Sequence, residues 1–267
     1  MVMRPALVNV MAKAAEKAAK NLVRDFGEIE HLQISRKGPG DFVSNADFKA
    51  QATIRDELSH ARPSFGFLME EKDNEADTSG ASERWIVDPL DGTTNFLHGV
   101  PHWAISIAAE RDGEIIAGLI YNPIADEMFW AEKGLGAFSN SQRLRVSGRK
   151  DLSECLIATG LPFKGSRKTP LEAMKEVNAV MPEVAGIRRM GSAALDLAYV
   201  AAGRYDGYWE SKLGVWDVAA GYIIVKEAGG FISPLEVGKD PVKDTSIIAS
   251  NEGIHNTLVK MLRDSKK

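Results

Sequence analysis

Two carboxylates three residues apart end an apolar run in Trp85-Ile86-Val87-Asp88-Pro89-Leu90-Asp91-Gly92-Thr93-Thr94-Asn95-Phe96. The pattern predicts a strand that delivers Asp88 and Asp91 to its end and hands over to a turn. Pro89 fixes φ and should stop the strand ladder there. Gly92 permits a backbone geometry or a close approach that other residues resist. Thr93 and Thr94 read as the opening of a short helix, whose free amides attract anions. Acids that hold hard cations, set beside amides that hold phosphate, point to metal-assisted phosphate chemistry. An ordinary acidic turn after a buried strand would show the same residues.

Other acids end apolar elements in the same way. Glu70 follows Phe65–Met69, and Asp217 follows Trp216. Strand ends beside helix starts are common ligand sites in layered α/β proteins. Magnesium takes oxygen ligands in a near-octahedral shell. Three or four converging carboxylates could hold two such ions about 3.5–4 Å apart. Simpler readings exist for some acids. Asp217 near a helix start is favoured by the helix dipole alone. Ser44-x-x-Asp47 reads as a capping-box variant. Glu71 and Glu75 read as solvated loop acids. His98 and His102 are four apart, as in a helical metal pair, but Pro101 between them favours a loop.

The elements that must position these acids follow from the hydrophobic spacing. Pro5 to Phe26 is predicted to be an amphipathic helix, with Gly27 as its C-terminal glycine cap. Lys37 to Asp41 reads as a breaker-rich loop, Ser44 to Ser59 as a helix, and Lys72 to Ser82 as a surface loop. Strands are expected at Trp103–Ala109, Ile115–Tyr121, Glu127–Ala131 and Gly136–Phe138. With turns at Asp112-Gly113 and Pro123 to Asp126, they form an antiparallel meander. The second half alternates. Strands are expected at Leu156–Thr159, Ile187–Met190, Tyr205–Trp209 (ending at Glu210), Phe231–Ser233 and Ser246–Ala249. Helices are expected at Pro170–Met181, Ser192–Ala202 with Ser192 as cap, Asp217–Ala228, and from Gly253 onward. This mixture predicts an α+β protein of stacked layers. The polar joint at Ser147–Asp151 divides it into an N-terminal part, 1–146, and a C-terminal part, 147–267.

The chain has 267 residues, of which 44% are hydrophobic, enough for a full core. A net charge of −4, with no long basic block, argues against a nucleic-acid binder. The single cysteine, Cys155, rules out an internal disulfide framework and fits a reducing compartment. The N-terminal segment is too polar for a signal peptide, and no stretch is long enough to cross a bilayer. These features lead us to expect a cytoplasmic protein without a membrane partner. Trp103, Trp130 and Trp209 are assigned to core or interface without distinction.

Read together, the motifs resemble one family. Trp85 through His98 looks like the first signature of the inositol monophosphatases, and Trp216 through Gly230 looks like the second. Met69-Glu70-Glu71, Asp41 to Asp47 and Gly191 to Gly203 match intermediate family motifs in the family's order, the last in its bacterial form. The resemblance implies a layered α-β-α-β-α sugar-phosphatase fold, a homodimer, lithium inhibition and two or three Mg2+ ions per subunit. It implies that Glu70, Asp88 and the Leu90 carbonyl hold one ion, and that Asp88, Asp91 and Asp217 hold a second. A weaker third would involve Glu70, with Asp47 acting through water. Glu70 and Thr93 would orient the attacking water. The amides of Gly92, Thr93 and Thr94 would bind phosphate, while Asp91, Ala193, Glu210 and Asp217 would line the alcohol side. The reaction implied is hydrolysis of a small phosphate ester, foremost myo-inositol 1-phosphate, by in-line attack of a metal-activated water. Histidinol phosphate and other sugar phosphates are alternative substrates. A partner-binding role in a transcription-related assembly is the alternative of another class. Three positions depart from the family pattern. Met69 replaces a glycine, Ser44 replaces a threonine, and Lys212 places a cation near Glu210, where it reads as a plain surface lysine or, alternatively, as a residue that favours a second anionic group on the substrate.

Overall fold

The computed structural model describes residues 3–28, 34–38, 41–71, 81–162 and 168–266, with backbone alone at 34–38 and 41–44. Helix α1 (Ala6–Gly27) buries a stripe of Val8, Met11, Ala15, Ala18 and Leu22, the expected helical spacing. Gly27 is the last helical residue and Glu28 caps it, so the expected glycine cap is not formed. Next come β1 (Ile34–Gly38) and β2 (Asp41–Ser44), an antiparallel pair on either side of residues 39–40. The breaker-rich segment read as a loop is thus flanked by paired strands. Ser35, Arg36 and Lys37 give no apolar alternation by which to find them. Helix α2 (Asn45–Ala61) leads to β3 (Gly66–Met69) and β4 (Glu83–Asp91). The loop expected at Lys72–Ser82, with Glu75, falls mostly outside the described residues.

After the short α3 (Thr93–Leu97) runs the meander β5 (Ala104–Arg111), β6 (Glu114–Asn122), β7 (Glu127–Glu132), β8 (Gly136–Ser139) and β9 (Gln142–Arg143). It joins β3 and β4 in one seven-stranded sheet in sequence order, with only the β3–β4 pair parallel. Then follow β10 (Leu156–Thr159), α4 (Pro170–Val180), β11 (Gly186–Arg188), α5 (Ala193–Ala201), β12 (Gly207–Ser211), α6 (Val215–Glu227), β13 (Phe231–Pro234), β14 (Ser246–Ser250) and α7 (Glu252–Asp264). The second sheet has the order β11-β10-β12-β14-β13.

Both sheets are covered on two faces. Along β4, Trp85 and Val87 point into a core shared with α1 and α2, whereas Ile86 points into one shared with α5 and α6. The same α5–α6 core takes Tyr208, Ile247 and Ala249 from the second sheet, whose other face packs Ile157, Trp209 and Ile248 against α7 and Val180 of α4. The layers therefore run α-β-α-β-α, as the resemblance implied. Strands buried on both faces read as continuous apolar runs, which is why β4 to β7 show little polar alternation. Trp103, Trp130 and Trp209 are all core residues, and each fully buried large side chain contributes about 1.5–3 kcal/mol.

Candidate active site

The alternation along β4 that sends Ile86 toward α6 sends Asp88 the same way. The ladder with β5 then breaks. Asp88 pairs with Ser106, the register shifts, and pairing resumes at Asp91 with Ala104. Pro89 therefore interrupts the strand without ending it, contrary to expectation, because a bulge accommodates a residue that cannot donate. Inside the bulge the Leu90 amide donates to Asp88 Oδ1 at 2.9 Å. That bond fixes the carboxylate.

Gly92 starts α3 in the left-handed region, at φ 99°. A Cβ there would lie 3.1 Å from the His102 carbonyl oxygen. Both the backbone conformation and the close approach require glycine. The first turn of α3 leaves the Thr93 and Thr94 amides without intrahelical acceptors. Thr93 Oγ1 lies 3.1 Å from the Leu90 carbonyl oxygen and 3.2 Å from Asp47 Oδ1, either of which can take its proton. Asp47, in the first turn of α2, is fully buried. It therefore serves Thr93 as well as the start of its own helix.

Glu70 follows β3, where its amide donates to the Val87 carbonyl at 3.1 Å and continues the parallel pairing. The turn is clamped from α2. Gln51 donates from Nε2 to the Glu71 carbonyl at 2.8 Å and accepts from the Glu71 amide through Oε1 at 3.0 Å. Glu71 is buried rather than solvated, because this clamp draws it under the helix. Gln51 lies one turn after Asp47 on the inner face of α2, a spacing that could have drawn attention to it.

The second half closes the site. Ser192 Oγ donates to Asp91 Oδ2 at 2.6 Å, and the Ala194 amide donates to the same oxygen at 2.7 Å. Ser192 also accepts from the Leu195 amide at 3.3 Å, so the predicted cap does act as one. Its bond to Asp91, spanning 101 residues, left no trace in local sequence. Asp217 sits in the first turn of α6, which begins at Val215, two residues earlier than expected. Its Oδ2 accepts from the Gly214 amide at 2.6 Å. Asp88, Asp91 and Asp217 each offer an oxygen within 4.8 Å of the others.

Burial holds Asp88 well above the usual carboxylate range, and the charges of Glu70, Asp91 and Asp217 push it further. Asp91 is pushed up to about 7, mainly by burial, against the pull of its bonds from Ser192 and Ala194. Asp217 is raised by burial and by Asp91 and Glu70, with the Gly214 amide opposing. Acids forced together at such a cost are what a hard, oxygen-seeking divalent cation would relieve, so the donor set fits such an ion. Glu70 acts electrostatically on all three members of the cluster.

A cavity of about 330 Å³ opens beside the cluster, lined in part by Glu70, Thr93, Thr94, Ala193, Glu210 and Asp217. Glu210 lies within β12 rather than after it. Its Oε2 accepts from Tyr208 Oη at 2.7 Å, and its carboxylate occupies the space where a Cβ on Gly160 would stand. Lys212 also lines the cavity, but its Nζ lies 3.7 Å from Glu172 Oε2. Deeper in, Lys168 is paired with Glu176, which also accepts from Trp209 Nε1 at 3.0 Å. The two histidines do not form a metal pair. His98 Nδ1 bonds the Thr94 carbonyl oxygen at the end of α3, and His102 is buried beyond the turn.

Buried acids, the turn that holds them and a polar cavity thus lie together, and residues 4–267 match the profile of the inositol monophosphatase family. The chain belongs to that family. It is 55% identical over 260 residues to an inositol-1-monophosphatase of Rhizobium meliloti (strain 1021), covering 97% of each chain. It is 39% identical over 258 residues to the Nus factor SuhB of Escherichia coli (strain K12), covering 97% of this chain and 96% of that one. Among solved structures it superimposes with a TM-score of 0.92 on the extragenic suppressor protein suhB from Bartonella henselae. The two are 55% identical, with 97% of this chain and 99% of that chain covered. Membership of the inositol monophosphatase family makes this protein a phosphoric monoester hydrolase that uses a divalent metal, in keeping with its acidic cluster. Among the described residues no helix is long and apolar enough to cross a membrane.

Proposed function

We propose that this protein hydrolyses myo-inositol 1-phosphate with magnesium, at the cavity between Glu70 and Glu210. The observation that carries the reading is the meeting of Asp88, Asp91 and Asp217 within 4.8 Å, one turn from the Thr93–Asp47 pair. Glu70, Asp88, Asp91, Asp217 and the Leu90 carbonyl would hold the ions, with Asp47 behind a weaker third. When bound, the ions supply positive charge to the phosphate oxygens and make a water acidic near neutral pH.

The chain's own residues do the rest. Asp47 accepts the Thr93 hydroxyl proton in a hydrogen bond, which turns the Thr93 lone pairs toward a water that Glu70 also contacts. That water is oriented for in-line attack. The amides of Gly92, Thr93 and Thr94 take the equatorial oxygens, where charge develops in the transition state. Asp91, Ala193, Glu210 and Asp217 face the alcohol. A water held by Asp217 returns a proton to the leaving oxygen. A homodimer is part of the reading, as is a setting in the cytoplasm, and both rest on the family.

Assay of the purified chain against inositol, histidinol and other sugar phosphates tests the substrate. Turnover of the inositol ester should lead, disappear on chelation and return with magnesium. Preference for histidinol phosphate would overturn the substrate, and indifference to chelator would overturn the metal. The similarity to a Nus factor supports a second reading, docking on a transcription-related assembly. A cellular phenotype that survives Asp91→Asn would favour that role over catalysis.

A further inference from the structure

Asp196 has no part in the mechanism above. It lies on α5, three residues after Ala193 and four after Ser192, so the three share one helix face. All three line the active cavity. Asp196 is 1% exposed, and its Oδ1 has no hydrogen-bond partner. Buried polar atoms are nearly always bonded, so a solitary carboxyl oxygen on a residue that lines a polar cavity needs a reason. The groups around it do not provide one within the chain. Glu210 and Asp91 repel its negative charge, and Arg189 offsets that only in part through space.

We propose that Asp196 is a specificity-determining residue that hydrogen bonds a hydroxyl group of the leaving alcohol, so that the cavity selects phosphate esters of polyols over esters of alcohols without further hydroxyls. This rests on the phosphatase reading above and adds a contact to it. Burial and the neighbouring acids hold Asp196 above the usual carboxylate range. In its neutral form it has both a donor and an acceptor, the pair that a hydroxyl can satisfy in either sense. A hydroxyl in that position completes the bonding of Oδ1. An ester lacking it leaves the oxygen as it stands and loses the benefit.

The test uses the full chain with magnesium and compares kcat/KM for myo-inositol 1-phosphate with that for 4-nitrophenyl phosphate, whose alcohol carries no other hydroxyl. Asp196→Leu should lower the inositol value roughly tenfold to a hundredfold. The nitrophenyl value, and inhibition by inorganic phosphate, should stay within about twofold. Asp196→Asn, which keeps a donor and an acceptor, should restore most of the difference. Equal loss on both esters, or no change in their ratio, overturns the proposal. A set of singly deoxygenated inositol phosphates gives an independent measure on the unmodified chain. One of them should be a poor substrate, and equal turnover of the whole set overturns the proposal without any variant. A chain that hydrolyses the nitrophenyl ester but no polyol ester defeats the substrate reading as well. A chain active on both esters, with unchanged selectivity in the variants, defeats this inference alone.

Discussion

Thr93 is where single-residue chemistry is most exposed to test. Its hydroxyl lies within hydrogen-bond distance of Asp47 and of the Leu90 carbonyl. Thr93→Val keeps the shape and removes the proton. We expect kcat to fall about a hundredfold to ten-thousandfold, with KM and melting temperature nearly unchanged, as steady-state kinetics and thermal unfolding would show. Asp91→Asn should behave differently. The amide oxygen can still accept from Ser192 and Ala194, but one of three crowded carboxylates becomes neutral. Turnover should vanish while the metal-free protein melts at the same or a higher temperature. A lower melting temperature would mean that Asp91 serves α5 more than the cation. The acids themselves were legible in the sequence because each ends an apolar run. Ser192 as a partner of Asp91, and Asp196 as a buried acid, were not. Their surroundings come from β4 and β12, more than ten residues away in the chain, and no local pattern encodes such neighbours.

At the scale of elements, the placing of Glu70 depends on α2. Gln51 makes two bonds to the Glu71 backbone. Gln51→Ala should destabilise the fold by about 2–4 kcal/mol, since each buried partner left bare costs roughly 1–3. Turnover should fall as well, because the Glu70 turn is released, and magnesium should bind more weakly in calorimetric titration. An effect on stability alone would show that the turn holds its shape without the clamp. The helices and the meander could be read from periodicity and turn residues, and β10 was placed to the residue. The β1–β2 pair escaped because its strands are short and polar. The sequence pattern sets Glu210 at the end of its strand, because a carboxylate resembles a terminus, whereas the strand continues through Ser211. The bulge at Pro89 looks like a strand end for a similar reason. Proline stops a ladder bond, but a bulge lets the chain rejoin two residues later.

For the whole molecule, the crowded acids set the dependence on pH. Asp91, Asp88 and Asp217 all titrate above their unfolded range in the fold, Asp91 at about 7. A raised carboxylate binds a proton on folding, so its contribution is fully present below the unfolded value of about 4 and is lost as pH rises through the folded value. Acids that the fold lowers, among them Glu172 at about 2, act in the opposite sense and lose their contribution in strong acid. The metal-free protein should therefore be most stable near about pH 5 and weaken toward about pH 8. Magnesium should restore most of the loss at the higher pH. Calorimetric melting across that range, with and without the ion, would show it, and a flat metal-free profile would contradict the burial of the acids.

The middle layer has a consequence for how the chain is made. The seven-stranded sheet is complete at Arg143, yet α5 and α6, which cover its inner face, end only at Ala201 and Glu227. During synthesis roughly 80 residues, or on the order of 4–16 s, separate the finished sheet from its cover. For that interval Ile86, Ala108, Ile120 and Phe129 would stand on an open apolar face. A ribosome stalled just after β9 should present that face to chaperones, and one stalled after α6 should not.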